Sequence, residues 1–150
     1  MQIDIDNQSD FLLSTPLLEQ LESLFAYVLE SLNLEQKQCE LLLVDNAKIA
    51  ELNAEFRAIN APTDVLSFPL ESDFSPFLGS VVISIDYAKE VAERLKHSVE
   101  NEIALLFIHG ILHLVGFDHE IDKGEQRAME AQIVEHFKLP KSLIIRQEEC

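Results

Sequence analysis

Apolar positions recur along the chain with two periods, and the switches between them mark out its elements. Residues 2–6 alternate, with Ile3 and Ile5 on one face, and read as a strand. Over residues 17–32, Leu17, Leu18, Leu21, Leu24, Phe25, Val28, Leu29 and Leu32 fall at helical spacing after Pro16, whose fixed φ suits a first turn. A short apolar strand over 40–44 follows. Asp45 or Asn46 can then cap a helix reaching about Phe56, and residues 60–64 have the composition of a turn. Strands are expected over 65–68, closed by Pro69, and over 79–85. Asp86 is expected to cap a helix to about Lys96, Ser98 to cap the next over 99–115, and a last helix to cover 123–138. The order β-α-β-α-β-β-α-α-α predicts an α+β fold: a small mixed sheet of about four strands packed with about five helices.

Composition narrows the class. A chain of 150 residues, 47% hydrophobic and 25% charged, has the content of one ordinary globular domain, and no repeat, linker or composition break divides 1–150. No run approaches the ~18 apolar residues of a membrane span, and the first ten residues lack a signal peptide's basic and apolar regions. Cys39 and Cys150 form no Cys-x-x-Cys unit, and read as a core residue and a terminal one in a reducing, cytoplasmic protein. The formal charge of −16 argues against polyanionic partners in general.

Chemistry concentrates in the run His-Gly-Ile-Leu-His-Leu-Val-Gly-Phe-Asp-His at 109–119. His109 and His113, four apart on an expected helix, lie on one face and can grip a metal ion together. Gly116 stands where that helix should end, and the turn it permits can bring round His119 as a third ligand. Three imidazoles with an open fourth position suit one catalytic zinc ion per chain better than a structural one. The spacing equals that of the zinc-protease motif His-Glu-x-x-His-x-x-Gly-x-x-His, but Gly110 replaces the glutamate that serves as general base, so peptide hydrolysis lacks its proton acceptor. Asp118 can be read as a group orienting a ligand or as a turn residue.

The residues resemble the YbeY family of bacterial single-strand-specific, metal-dependent endoribonucleases. The resemblance rests on Leu-Asn-Ala-Glu-Phe-Arg at 52–57, Pro-Thr-Asp-Val-Leu-Ser-Phe-Pro at 62–69, Leu-Gly-Ser-Val-Val-Ile-Ser at 78–84, His97-Ser98, the histidine run, and Met129 with a downstream acidic helix. It implies a zincin-like site in which His109, His113 and His119 bind zinc, with Arg57 counted among the essential residues. It further implies single-stranded RNA, rRNA above all, as substrate, with maturation of the 16S rRNA 3′ end and ribosome quality control as the role. DNA and membranes are not expected partners; small-subunit proteins and a ribosome-associated GTPase are. The chain departs from the family pattern at Asn60 and Ser80, where members commonly carry aspartate. The loss at Ser80 puts docking to a ribosomal protein in doubt and leaves the metal ligands untouched.

Read from the residues alone, Arg57 is either a solvated charge at a helix C-terminus or the fixed cation a phosphodiester reaction needs. With the resemblance, Arg57 and His113 are taken as catalytic, and the general base stays unassigned. Ser67, on a strand whose Pro69 suits an edge, is a candidate to face substrate. His97 reads as a cap neighbour or a site contact, His136 as a surface residue, and Met129, at helical spacing with Ile133 and Phe137, as core packing. A zinc peptidase and a non-catalytic, zinc-containing ribosome assembly factor are the alternatives. The charge itself is uneven: residues 1–40 hold 8 acidic and 1 basic side chains, residues 121–150 hold 6 and 5. A bound zinc and Arg57 would make the site locally positive, so weak RNA binding at one cleft is expected.

Overall fold

Strand alternation builds a four-stranded sheet with two unequal faces in the computed structural model, which describes residues 2–34, 36–70 and 75–141. Strands β1 (Ile3–Asn7), β2 (Gln38–Val44) and β4 (Phe77–Ser84) run parallel, and β3 (Val65–Pro69) is antiparallel to β4, in the order β1-β2-β4-β3. Ile3, Leu41, Leu43, Val81 and Ile83 point into the larger core; Val44, Leu66 and Val82 point into the smaller one. Period-2 side-chain direction alone produces this division. Pro69 ends the edge strand β3, where a missing N–H is tolerated.

Five helices cover the faces: α1 (Thr15–Ser31), α2 (Asn46–Arg57), α3 (Ile85–Leu95), α4 (Val99–Leu114) and α5 (Glu125–Phe137). Ser14, Asp45 and Ser98 cap α1, α2 and α4 through their side-chain oxygens, with Pro16 in the first turn of α1. The cap of α3 is Ser84 and not Asp86: the last strand residue turns its hydroxyl to Tyr87 N, while Asp86 enters the first turn and accepts a hydrogen bond from Asn46 N at 2.9 Å. Helix α5 starts later than expected, because Gly124 takes a left-handed conformation with φ 100° just before it. Cys39 is a buried core residue, as expected; Cys150 lies outside the described residues.

Helix α4 is buried along nearly its whole circumference, with twelve of its sixteen residues enclosed. It lies against the sheet beside β3 and β4, with α1, α3 and α5 packed around it. A helix apolar all round belongs at the centre of a fold. Its two buried charged or titratable groups are therefore partnered: Glu102 Oε1 lies 2.8 Å from His97 Nε2, and His109 turns toward α5. His97 thus does more than adjoin the Ser98 cap: it closes off a buried carboxylate.

Candidate metal centre

Helix α4 ends in a motif that its sequence dictates. Val115 is the C-cap, Gly116 follows at φ +106°, Gly116 N–H donates to His113 O at 3.1 Å and Phe117 N–H to Leu112 O at 2.9 Å. This paired bonding satisfies the last carbonyls and reverses the chain, and glycine adopts the required φ without strain. The segment beyond brings His119 back to the last turns of the helix. His109, His113 and His119 each offer a ring nitrogen, and these atoms lie within 4.8 Å of one another. The ring centroids form a triangle of 4.8, 5.1 and 5.6 Å.

The trio fits a metal ion on three counts. His109 Nε2 and His113 Nε2 are 3.3 Å apart, and zinc–nitrogen bonds of about 2.0–2.1 Å in a tetrahedron put neighbouring nitrogens roughly 3.3 Å apart. His119 Nδ1 is buried without a hydrogen-bond partner among the described residues, which leaves a ring nitrogen to be satisfied. Burial, and then the neighbouring His109 and His119, push the His113 pKa below its ordinary value, so its ring is neutral at physiological pH, as a ligand must be.

Helix α5 supplies two residues that the sequence reading missed. Glu130 Oε2 sits 2.7 Å from His109 Nδ1, and both side chains are buried. A carboxylate only accepts, so His109 donates from Nδ1 and turns the Nε2 lone pair toward His113 and the centre of the trio. Gln126 Nε2 donates to the same Glu130 oxygen at 3.1 Å, and its Oε1 accepts from His119 N at 3.0 Å. One amide therefore ties the first ligand's partner to the backbone of the third. Asp122 holds this corner in place, accepting from Gln126 N and Gly124 N, bonds that also keep its carboxyl below the usual range. The signal in the sequence was two polar residues, four apart, on the stripe that Ile133 continues into the core. Asp118, read either as an orienting group or as a turn residue, accepts from Glu120 N at 3.1 Å and shapes the turn.

Gly110 has a structural reason as well as a chemical consequence. A Cβ at this position would lie 2.6 Å from Val81 Cγ1, so the helix rests on the sheet at a distance only glycine permits. Carbonyl Gly110 O accepts from Ser67 Oγ at 3.2 Å, which pins edge strand β3 to α4 and takes up the hydroxyl considered for substrate. No side chain fits at 110, let alone a general base. Asp64, at the mouth of β3, is held by Val65 N at 2.8 Å and feels the field of His109; burial, the largest influence, raises its pKa.

Arg57 is the last residue of α2, exposed and without an ion pair among the described residues. It stands on the smaller-core side of the sheet, near the outer edge formed by β3. Met129 packs against the larger core and His136 is exposed, stacked on Tyr27 at 4.4 Å, both as expected. Ser80 Oγ donates to Glu40 Oε1 at 2.9 Å, so an aspartate in its place would face a carboxylate.

A mixed sheet carrying a central helix whose terminal turns and following loop gather three histidines defines an α+β protein with a zincin-like candidate metal centre. The family model described as "Endoribonuclease YbeY" matches residues 3–139. Among similar proteins, the endoribonuclease YbeY of Aliarcobacter butzleri is 49% identical over 96% of this chain and 98% of its own length. That of Helicobacter pylori is 50% identical over 99% of each. The solution structure of a Thermotoga maritima protein superposes with a TM-score of 0.61 at 27% identity, covering 91% of both chains. The chain belongs to the YbeY endoribonuclease family.

Proposed function

We propose that this protein is a zinc-dependent, single-strand-specific endoribonuclease that acts in the cytoplasm on rRNA, including the 3′ end of 16S rRNA, and in ribosome quality control. The observation that carries the reading is the trio of His109, His113 and His119 with Glu130 behind it, in a chain of this family. These three histidines would hold the ion, which when bound supplies Lewis-acid polarisation of the phosphodiester and a more acidic water. Glu130 and Gln126 keep His109 and the His119 segment in register for it. Arg57, at the end of α2, is the cation that neutralises charge building on the non-bridging phosphate oxygens. No carboxylate can occupy position 110, which disfavours peptide hydrolysis and leaves water activation without a side-chain base from that residue. The acidic surface suits basic small-subunit proteins, or a GTPase bound to them, as partners.

Purified protein loaded with zinc is expected to cut a single-stranded RNA and to leave the same sequence intact in a duplex. His113→Ala and Arg57→Ala are each expected to abolish cutting, the first with loss of bound zinc and the second with zinc retained. Equal cutting by both variants overturns the assignment, and full activity in protein free of any metal overturns the zinc dependence.

A further inference from the structure

Helix α2 buries Ile49, Leu52 and Asn53 wholly or in part against the smaller core, and Phe56 is the next position of that stripe. A stripe of this kind ordinarily ends in the core, yet Phe56 remains 59% exposed. Among the described residues its ring meets Phe68 on β3, edge to face at a centroid distance of 5.0 Å and an angle of 67°. Phe68 is itself half-buried against the smaller core, so it braces Phe56 from one side and leaves the outer ring surface free. Arg57 is the adjoining residue, and Ile59, 43% exposed, follows the left-handed Ala58 that ends the helix.

The position of this patch relative to the histidines comes from strand β3. Ser67 points to α4 and bonds Gly110 O, next to His109; Phe68, the following residue, points to the opposite face and meets Phe56. The outer edge of one short strand therefore separates the histidine trio from a braced, exposed aromatic ring beside a cation without an ion pair among the described residues.

We propose that Phe56, braced by Phe68 and flanked by Arg57, is a stacking subsite for one unpaired nucleobase of the RNA, so that the strand crosses the edge of β3 between this subsite and the histidine trio. The inference rests on the RNA reading above and names how that substrate is held. Stacking suits this protein in particular. On a chain of net charge −16, with Glu55 next to Phe56, long tracks of phosphate contacts are not available, whereas every base has a π-face whatever the surrounding field. A base already paired and stacked in a duplex cannot lie on the ring, which gives single-strand preference a physical origin. Arg57 then serves the phosphate beside the stacked base.

The test uses the zinc-loaded full chain and a set of short unstructured RNAs, one with all bases and others each with a single abasic position. Phe56→Ala is expected to raise KM and Kd for the full RNA roughly tenfold, about 1.4 kcal/mol, with kcat within about twofold. Phe56→Tyr is expected to keep wild-type values. One abasic RNA is expected to bind the wild type and Phe56→Ala equally, because the removed base and the removed ring are the two halves of one contact. An unchanged melting temperature and zinc content show that the variant is folded. Unchanged RNA affinity in Phe56→Ala overturns the subsite and leaves the patch to a protein partner. A tenfold loss that persists with every abasic RNA also overturns it. If the wild type cuts RNA and Phe56→Ala is unaffected, the subsite alone falls; if the wild type neither binds nor cuts single-stranded RNA, the functional reading falls with it.

Discussion

Glu130 on α5 accepts a 2.7 Å hydrogen bond from His109 on α4, across 21 residues of sequence, and both groups are withdrawn from solvent. The bond decides which nitrogen of His109 carries the proton and which way the ring faces. Such partners of ligating histidines typically contribute 10- to 100-fold in metal affinity. Glu130→Ala is expected to weaken zinc binding by about that factor, read by competition with a chelator of known affinity. Gln126→Ala is expected to loosen the His119 segment and to give a smaller loss, because its amide acts on the histidines chiefly through Glu130 and a backbone N–H, its own approach to His109 Nδ1 being the longer one at 3.5 Å. Wild-type affinity in Glu130→Ala would show that packing alone orients His109.

A Cβ built at Gly110 would come within 2.6 Å of Val81 Cγ1. Gly110→Ala is expected to destabilise the protein by about 1–3 kcal/mol, since a buried helix and a buried strand must move apart to admit one methyl group. Combining it with Val81→Ala is expected to restore much of the loss, because the clashing Cγ atoms are gone. Denaturant unfolding of both variants measures this, and an unaltered midpoint in Gly110→Ala would refute the close approach.

Asp64 carries a sign that can be worked out. Its pKa is raised in the folded state, chiefly by burial, so the native protein binds the proton more tightly than the unfolded chain does. Its contribution to stability is complete below the unfolded value of about 3.9 and is lost as pH rises through the folded one. Asp64→Asn keeps an acceptor for Val65 N and removes the buried charge. At neutral pH the metal-free variant is therefore expected to melt above the metal-free wild type, and the difference is expected to vanish toward pH 4. A variant less stable at pH 7 would contradict this.

Burial, then the carboxylates of Glu22 and Glu40, push the Cys39 thiol up to about 12. A thiol that does not ionise near neutrality is a poor nucleophile. In a Cys150→Ser background, native protein at pH 8 is expected to resist iodoacetamide and to be modified promptly in denaturant. Labelling at equal rates in both states would show that the larger core opens on the timescale of the reaction.

Local pattern was enough for much of the fold. Strand alternation, Pro16 in the first turn of α1 and the caps at Asp45 and Ser98 were legible because each depends on residues within a few positions of one another, whereas Ser14 as the cap of α1 came from the structure. Ser84 was overlooked as a cap because it is also the last strand residue, and only the structure shows its hydroxyl turning to Tyr87 N. His97 could not be interpreted before its partner was known: the carboxylate it meets lies inside a helix whose depth depends on five neighbouring elements.

The sequence by itself pointed to the histidine trio, since helix period and one glycine turn direct His109, His113 and His119 toward one another. It also determined the absence of a base at Gly110. Tertiary structure alone decided why glycine stands there, which residues of α5 hold the ligands, and that Phe56 emerges from its stripe beside Arg57 at a sheet edge. The reason is physical: spacing along one helix fixes directions within that helix, whereas contact between elements depends on how sheet and helices pack, and no local period carries that information.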